Sequence, residues 1–306
     1  MKSLTVAYIT SRFNPKLEWF LDSLKNQLKA GESVEVIIVD SFPDCHTHDH
    51  QIPNISKIQV QPKPTVWQGE YRLTKDNWWA KSNALNTAIC LCKTEWISFL
   101  DDRCVLLDGW LERIKSAMAG NYAVCGSYEK RINMTVENGV IQNGGIITGK
   151  DCRDMGVTQP IPCGGEWLFG CNFALPLEWA LNVNGFEELL DGLSSEDTQF
   201  GAMLSNNGYP LKFDVKMKII EDRTSSEIGA AMKRTSKERW GNDEQDKGHE
   251  AIRRFHGNKQ AQHGFNIREL RAKVLAGEPF PIPDKTKEHR DWFDGMLIKD
   301  FDNITP

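Results

Sequence analysis

The chain has 306 residues, a formal net charge of −5, 40% apolar and 26% charged residues. This composition is typical of a folded globular protein and excludes collagen, coiled coil and wholesale disorder. No apolar run reaches the roughly 18 residues that cross a bilayer, and we expect neither a transmembrane segment nor a signal peptide at the start of the chain. We therefore expect a cytoplasmic location, where the eight cysteines, which include no CxxC pair, would stay reduced.

Short apolar runs alternate with amphipathic stretches over the first hundred residues. The runs predict strands over 4–10, 34–40, 55–60 and 95–100. Apolar residues at spacings of three and four predict helices over 15–29, with Gly31 as its C-cap, and over 79–91. Strands that alternate with helices indicate a mostly parallel sheet. Ligands bind at the carboxyl ends of the strands in such sheets, which directs attention to the residues that follow each strand.

The pattern of predicted elements changes after about residue 120, and the composition changes again after residue 222. We predict helices over 110–119, 178–183 and 196–206, a strand over 211–220, and short strands with Gly-rich loops over 121–175. Residues 233–273 carry eleven Lys or Arg against six Asp or Glu, and 279–283 (PFPIP) has the composition of an extended linker. We therefore predict a first domain at 1–222 and a largely helical C-terminal extension at 223–306.

Asp101 and Asp102 directly follow the buried strand predicted at 95–100. Two carboxylates at a strand end can hold a hard divalent cation, and such a cation neutralises a diphosphate. The same pair could instead accept backbone N–H groups of the loop.

Glu196 and Asp197 form the second acidic pair, at the predicted start of a helix. An acid in the first turn of a helix is favoured by the helix dipole, which is a sufficient structural reason for Glu196. The functional interpretation makes Asp197 a general base that faces the crevice at the strand ends.

Taken in order, these segments resemble a family 2 glycosyltransferase of the GT-A fold. The resemblance rests on the strand ending at Thr10, VIIVD at 36–40, KSNALNTAI at 81–89, WISFLDD at 96–102 and NGFEELL…SSED at 184–197, and it covers about residues 3–222. It implies an α/β fold, Rossmann-like, with a central mostly parallel sheet flanked by helices. It also implies transfer of a sugar from a nucleotide-sugar to an acceptor hydroxyl, with inversion at the anomeric carbon.

The resemblance further implies a role for each matching residue. Asp197 would be the base that deprotonates the acceptor, and Asp101 and Asp102, at the DxD position, would hold Mn²⁺ or Mg²⁺ on the diphosphate. The residues implied near the donor nucleotide are Thr10, Arg12, Asp40, Lys81, Asn83 and Asp101.

The chain departs from the family pattern at Arg103, which occupies the third position of DxD. Two interpretations stay open. The cation is held by Asp101 and Asp102, or by Asp102 with a later ligand, for which Glu221, Asp222, His249 and His256 are candidates. Alternatively, Arg103 contacts a phosphate directly and the dependence on metal is weak.

Three further features allow more than one interpretation. The tract at 45–50 (CHTHDH) could bind zinc, contact the nucleotide or be solvated. Trp167 could stack on an acceptor sugar, with Glu196 nearby, or pack in the core. The basic stretch at 233–273 could be a lid, a platform for an anionic acceptor, or a helix that packs on the catalytic domain.

The leading hypothesis is an inverting glycosyltransferase that uses a UDP- or GDP-sugar and a divalent metal. Its acceptor would be a glycan or another hydroxyl-bearing molecule, with a modified base of DNA as a further alternative. A nucleotidyltransferase is disfavoured because residues 10–15 (TSRFNP) contain no glycine. The remaining alternative is a related module that binds a nucleotide or glycan without turnover.

Overall fold

The computed structural model describes residues 2–45, 51–66, 80–154, 156–191, 196–224 and 259–283. These residues form a large mixed sheet with helices on both faces. The strands are β1 (Leu4–Thr10), β2 (Val34–Asp40), β3 (Ile55–Val60), β4 (Trp96–Asp101), β5 (Cys104–Leu106), β6 (Ala123–Ile132), β7 (Thr135–Glu137), β8 (Val140–Asn143), β9 (Ile146–Lys150), β10 (Ile161–Pro162), β11 (Asn172–Pro176) and β12 (Leu211–Asp222). The helices are α1 (Leu17–Lys25), α2 (Lys81–Leu91), α3 (Trp110–Gly120), α4 (Leu177–Asn182), α5 (Glu196–Asn206) and α6 (Ile267–Leu275).

The sheet has a parallel half and a mixed half. Its order is β10-β12-β6-β11-β4-β1-β2-β3, with β5 beside β12 and β9 beside β6. Strands β4, β1, β2 and β3 run parallel, whereas β11 is antiparallel to both β4 and β6. The parallel half brings the carboxyl ends of β1, β2 and β4 to one edge, as the sequence pattern predicts.

Alternate residues of β1 point into two separate cores. Ala7 and Ile9 lie in a core shared with α2, α4, α5 and α6, whereas Val6 and Tyr8 lie in a core shared with α1 and α3. Such strands are apolar on both faces because helices cover both sides of the sheet. This explains why the sequence shows β1 and β2 as continuous apolar runs.

Helix α1 is shorter than the sequence predicts. It ends at Lys25, and the chain continues through turns in which Gln27 N–H donates to Leu24 O and Leu28 N–H donates to Lys25 O. Gly31, expected to be the cap, therefore lies in a separate turn with φ of +81°.

Part of the predicted C-terminal extension packs into the first core. Ala261, Ile267 and Leu270 are buried there, and the side chain of Asn184 donates to the backbone carbonyls of Ala261 and Phe265. Residues 259–283 thus contribute to the same hydrophobic core as the glycosyltransferase-like segment. Among the segments that the structure describes, each helix is too short or too polar to cross a membrane.

Candidate active site

The site begins where β1 and β4 end side by side. Ile9 pairs with Asp101 in the sheet. The next residue, Asp102, accepts hydrogen bonds from Thr10 Oγ1 at 2.7 Å and from Arg12 Nε at 2.9 Å. Burial raises the pKa of the Asp102 carboxyl, and Arg12 and Thr10 partly offset that rise. The structure therefore brings together three residues that the sequence assigned to the donor and metal sites.

Lys81 links the end of β4 to the beginning of α5. Its Nζ lies 3.0 Å from Asp101 Oδ1 and 3.7 Å from Glu196 Oε1. Burial by itself would lower the pKa of Lys81, but Asp101, Glu196 and Asp197 together outweigh burial and raise it. The lysine therefore remains a cation and holds the two acidic pairs close together.

A cavity of about 140 Å³ opens beside these residues. Four acidic and two basic side chains line it, a combination that suits a ligand with both a metal ion and a diphosphate. The lining residues are Ser11, Arg12, Asp101, Asp102, Glu221, Asp222 and Arg223.

Glu221 and Asp222 are the two acidic residues of this cavity that lie on β12. In the described part of the chain, Glu221 is the one of the two with an unsatisfied carboxylate oxygen. Its Oε2 contacts Arg223 Nη2 at 2.7 Å, while the buried Oε1 has no hydrogen-bond partner among the described residues. Burial raises the pKa of Glu221, and the nearby Asp101 raises it further. A bound cation would relieve both costs, since it would neutralise adjacent carboxylates.

The carboxylates of Asp101, Asp102 and Glu221 form a donor set that fits Mn²⁺ or Mg²⁺ chemically. They are not yet arranged as ligands, because each contacts a basic side chain: Lys81, Arg12 and Arg223 respectively. In the described part of the chain, no three His, Cys, Asp or Glu side chains form a converged metal cluster. Binding of a cation would therefore require these side chains to exchange partners.

Asp197 lies in the first turn of α5. Its Oδ2 accepts the N–H of Gly170 at 2.8 Å, and its Oδ1 accepts the N–H of Thr198 at 2.7 Å. A Cβ added at Gly170 would lie 3.0 Å from Lys81 Nζ and 3.2 Å from Asp197 Cβ, so glycine permits this close approach. Burial and the neighbouring Asp197 raise the pKa of Glu196 to about 7.

Arg103 lies behind the cavity wall. It has a left-handed φ of +57°, is 3% exposed, and its guanidinium contacts the carboxylate of Asp222. The backbone N–H of Arg103 donates to Pro15 O at 2.9 Å. Arg103, at the third DxD position, thus forms an internal ion pair. Arg223, which directly follows β12, lines the cavity.

Three other candidate residues occupy different surroundings. Asp40 is buried at the end of β2, where it accepts the N–H of Phe42 and Nε2 of Gln59. Asn83 is buried in α2, and its Nδ2 donates to Pro64 O at 3.2 Å. Trp167 is half-buried and packs edge-on against Phe213, with ring centroids 5.5 Å apart.

Some predictions fall outside the described residues. They concern residues 46–50 of the Cys/His tract, His249, His256 and the basic residues from 233 to 258. The sequence did not point to Arg223 as a residue of the cavity. The one indication in the sequence is that Arg223 is a basic residue shortly after a predicted strand.

The family model described as Glycosyl transferase family 2 matches residues 7–170. The chain belongs to that family. Membership of this family favours the glycosyltransferase hypothesis over the nucleotidyltransferase alternative. No curated protein sequence matches the chain.

Solved structures show the same GT-A fold at low sequence identity. GalNAc-T7 with UDP, GalNAc and Mn²⁺ has a TM-score of 0.54 and 10% identity, over 100% of this chain and 58% of that chain. This chain thus spans less than two thirds of the GalNAc-T7 chain. S. aureus TarS 1–349 in complex with UDP has a TM-score of 0.51 and 11% identity, over 98% of this chain and 72% of that chain. A second structure of S. aureus TarS 1–349 has a TM-score of 0.53 and 13% identity, over 98% of this chain and 82% of that chain.

Proposed function

We propose that this glycosyltransferase moves a sugar from a UDP- or GDP-sugar to an acceptor hydroxyl, with inversion at the anomeric carbon. The observation that carries the proposal is the arrangement of two acidic pairs around Lys81. Asp101 contacts its Nζ from the strand-end side, and Glu196 contacts it from the side of α5. In-line displacement requires a group for the departing diphosphate and a base for the attacking hydroxyl, placed on either side of the reacting carbon.

The cavity is the proposed donor side. Asp101 and Asp102, with Glu221, would hold Mn²⁺ or Mg²⁺, which supplies charge neutralisation to the diphosphate. Arg12 and Arg223 line the same cavity and can donate to phosphate oxygens. Thr10 and Asp40 lie at the neighbouring strand ends, where we propose the nucleoside. Asn83 lies in the first turn of α2 beside Lys81, and its side chain is as buried as that of Asp40. Its donor role stays a prediction.

Asp197 is the proposed base. The bond between the acceptor oxygen and the anomeric carbon forms as the bond from that carbon to the diphosphate breaks, and the hydroxyl proton passes to Asp197. Gly170 N–H orients its Oδ2, which leaves the carboxylate anchored to the turn that follows Trp167. We propose the acceptor on this side, next to Glu196 and the exposed part of Trp167.

The proposal also covers the compartment and the acceptor class. We propose the cytosol because the composition favours reduced thiols. The acceptor is proposed as a glycan or other hydroxyl-bearing molecule. The basic residues that raised a DNA acceptor as an alternative lie mostly outside the described segments.

A thermal-shift panel tests the proposal. Unfolding of the full chain is followed with UDP, GDP, CMP and dTDP, each with Mn²⁺, Mg²⁺ or EDTA, because a ligand that binds the folded state stabilises it. We expect UDP or GDP to raise the Tm with metal and not with EDTA, and Asp102→Ala to lose that rise. A rise that persists in EDTA would contradict the metal site, and no rise with UDP or GDP would contradict the donor class.

Turnover then separates an enzyme from a binding module. The nucleotide that binds is offered as its common hexose and N-acetylhexosamine sugars, and release of nucleoside diphosphate is measured. The matched control is Asp197→Asn. Release by the native chain that the variant lacks supports the proposal, whereas equal release by both contradicts the role of Asp197.

A further inference from the structure

Helix α2 begins without a capping side chain of its own. The residue before it is Ala80, whose methyl group cannot accept a hydrogen bond, yet the first N–H groups of a helix need acceptors. The carboxylate of Asp191 supplies them: it accepts the N–H of Ser82 at 2.7 Å and that of Asn83 at 3.1 Å. Asp191 is 3% exposed and lies 108 residues further along the chain than Asn83.

The residue at the start of this helix is Lys81. A cation at the N-terminal end of a helix is disfavoured by the helix dipole. Lys81 is nevertheless held there, with Nζ 3.0 Å from Asp101 and 3.7 Å from Glu196. The position of Lys81 therefore depends on how firmly the first turn of α2 is anchored.

The segment that contains Asp191 is itself anchored along α2. Asn86 Nδ2 donates to Glu188 Oε1 at 2.9 Å, and its Oδ1 accepts the N–H of Phe186 at 2.8 Å. Lys63 Nζ adds an ion pair to Glu188 at 2.7 Å. Asp191 thus approaches α2 from a buried segment that is hydrogen-bonded to this helix.

We propose that Asp191 is a positioning residue of the active site. It anchors the first turn of α2 so that Lys81 bridges Asp101 and Glu196, and it thereby sets the spacing between the diphosphate side and the base. The claim that Asp191 anchors Lys81 does not depend on the proposed function. The claim that this anchoring affects catalysis rests on the proposed function.

A capping residue could instead contribute to stability alone. Asn266 provides the matched case, because its Oδ1 accepts the N–H groups of Arg268 and Glu269 at 3.0 and 3.1 Å at the start of α6. Asn266→Ala and Asp191→Ala each remove one side chain that caps two backbone N–H groups. A purely structural role predicts the same behaviour of the active site in both variants.

The first experiment measures Lys81 directly and needs no substrate. The native chain, Asp191→Ala and Asn266→Ala are treated briefly with acetic anhydride at one pH, and acetylation of Lys81 is compared by mass spectrometry with that of the exposed Lys93. We expect slow modification of Lys81 in the native chain and in Asn266→Ala, and severalfold faster modification in Asp191→Ala, because its ion pairs open more often. Equal protection of Lys81 in all three would overturn the proposal. If Asp191→Ala does not fold, Asp191→Asn, which keeps one acceptor oxygen, replaces it and should give an intermediate rate.

The second experiment measures coupling through Lys81. With a donor identified by the nucleotide panel, we expect Asp191→Ala to lower kcat by about 10 to 100-fold, as a misplaced catalytic group does, with little change in KM. In a Lys81→Met background, Asp191→Ala should cause no further loss, because the lysine through which it acts is gone. Independent, multiplying losses would overturn the proposal. If no nucleotide-sugar is turned over, the proposed function fails, and the acetylation result still decides the role of Asp191.

Discussion

The guanidinium of Arg103 contacts the carboxylate of Asp222 inside the protein, where 4% of each side chain is exposed. This pair joins the end of β4 to the end of β12. Asp222 also accepts the N–H and Oγ1–H of Thr224. Arg103 thus has a structural partner at the place where a DxD element would carry its last acid. Asp222 is committed to this pair, and Glu221 is the other acid of β12 that lines the cavity.

The first prediction concerns the stability that this pair provides. Arg103→Met should lower the free energy of unfolding by about 3 kcal/mol, because a buried Asp222 carboxylate would lose its cation. Chemical denaturation at neutral pH measures it. Arg268→Met is the control, since its pair with Glu178 is exposed and such pairs contribute at most about 1 kcal/mol. Equal losses in both variants would mean that burial of the Arg103 pair has no special energetic effect.

The proposed role of Asp197 as the base is tested by Asp197→Asn. An asparagine Oδ1 can still accept the N–H of Gly170, so the turn should keep its place, but the side chain can no longer take a proton. We expect sugar transfer to fall by about 10³-fold or more, with nucleotide affinity nearly unchanged by calorimetry. Glu178→Gln, an exposed change on α4, should leave transfer intact. Turnover that survives in Asp197→Asn would remove this residue from the mechanism.

The proposed metal-binding role of Glu221 is tested by Glu221→Gln. We expect Mn²⁺ binding, followed by electron paramagnetic resonance with and without UDP or GDP, to weaken by about tenfold. Glu129→Gln is the matched control: Glu129 is 5% exposed on the adjacent strand β6, where it contacts Arg131 and Lys218. A Glu221→Gln protein that binds Mn²⁺ as the native chain does would exclude Glu221 as a ligand.

Glu187 gives the chain a predictable pH dependence of stability. Burial raises the pKa of Glu187 to about 7 although it accepts the N–H groups of Gln262 and Leu189. The folded state therefore holds a proton that the unfolded state releases near pH 4.5, so stability falls as the pH rises from about 4.5 to 7. The contribution is of the order of 3 kcal/mol across that window.

The measurement compares the native chain with Glu187→Gln. We expect the free energy of unfolding of the variant to decline less steeply over this pH range, because glutamine does not titrate. Other buried acids change both proteins equally and cancel in the difference. Parallel curves would show that Glu187 titrates near its ordinary pKa in the folded state.

The contribution of the C-terminal segment is tested within α6. Ile267 is fully buried in the first core, whereas Leu275 on the same helix is 37% exposed. Ile267→Ala should lower the free energy of unfolding by about 3 kcal/mol through loss of packing, and Leu275→Ala should change it by less than about 0.5 kcal/mol. A similarly small loss of unfolding free energy in both variants would indicate that α6 contributes little to the core.

The sequence predicts the parallel half of the sheet well because its strands are buried on both faces. The bounds of β1, β2 and β3 agree with the apolar runs. Strand β6 is ten residues long, yet its second half, with Glu129, Lys130 and Arg131, is polar and partly exposed. Its pairing with β12 stabilises it as a strand, and a partner strand that begins 79 residues beyond the end of β6 is not visible in local periodicity.

The same distinction applies to the site. Acids that directly follow apolar strands, such as Asp101 and Asp102, are recognisable because topology brings strand ends together. The ion pair of Arg103 with Asp222 spans 119 positions of the chain, and the cap that Asp191 provides spans 109. Local sequence patterns do not predict contacts between residues so far apart in the chain. The partners of Arg103 and Asp191 could therefore be identified only from the structure.

Finally, the turn at Gly165–Trp167 touches α5 without any intervening side chain. A Cβ on Gly165 would lie 2.2 Å from the carbonyl of Gly201, and one on Gly201 would lie 2.1 Å from the carbonyl of Gly165. Backbone in contact with backbone cannot yield as a flexible side chain does, so even alanine at either position would displace the helix that carries Asp197. Variants that probe the proposed acceptor role of Trp167 should therefore leave both glycines intact, so that any change in transfer is not due to displacement of α5.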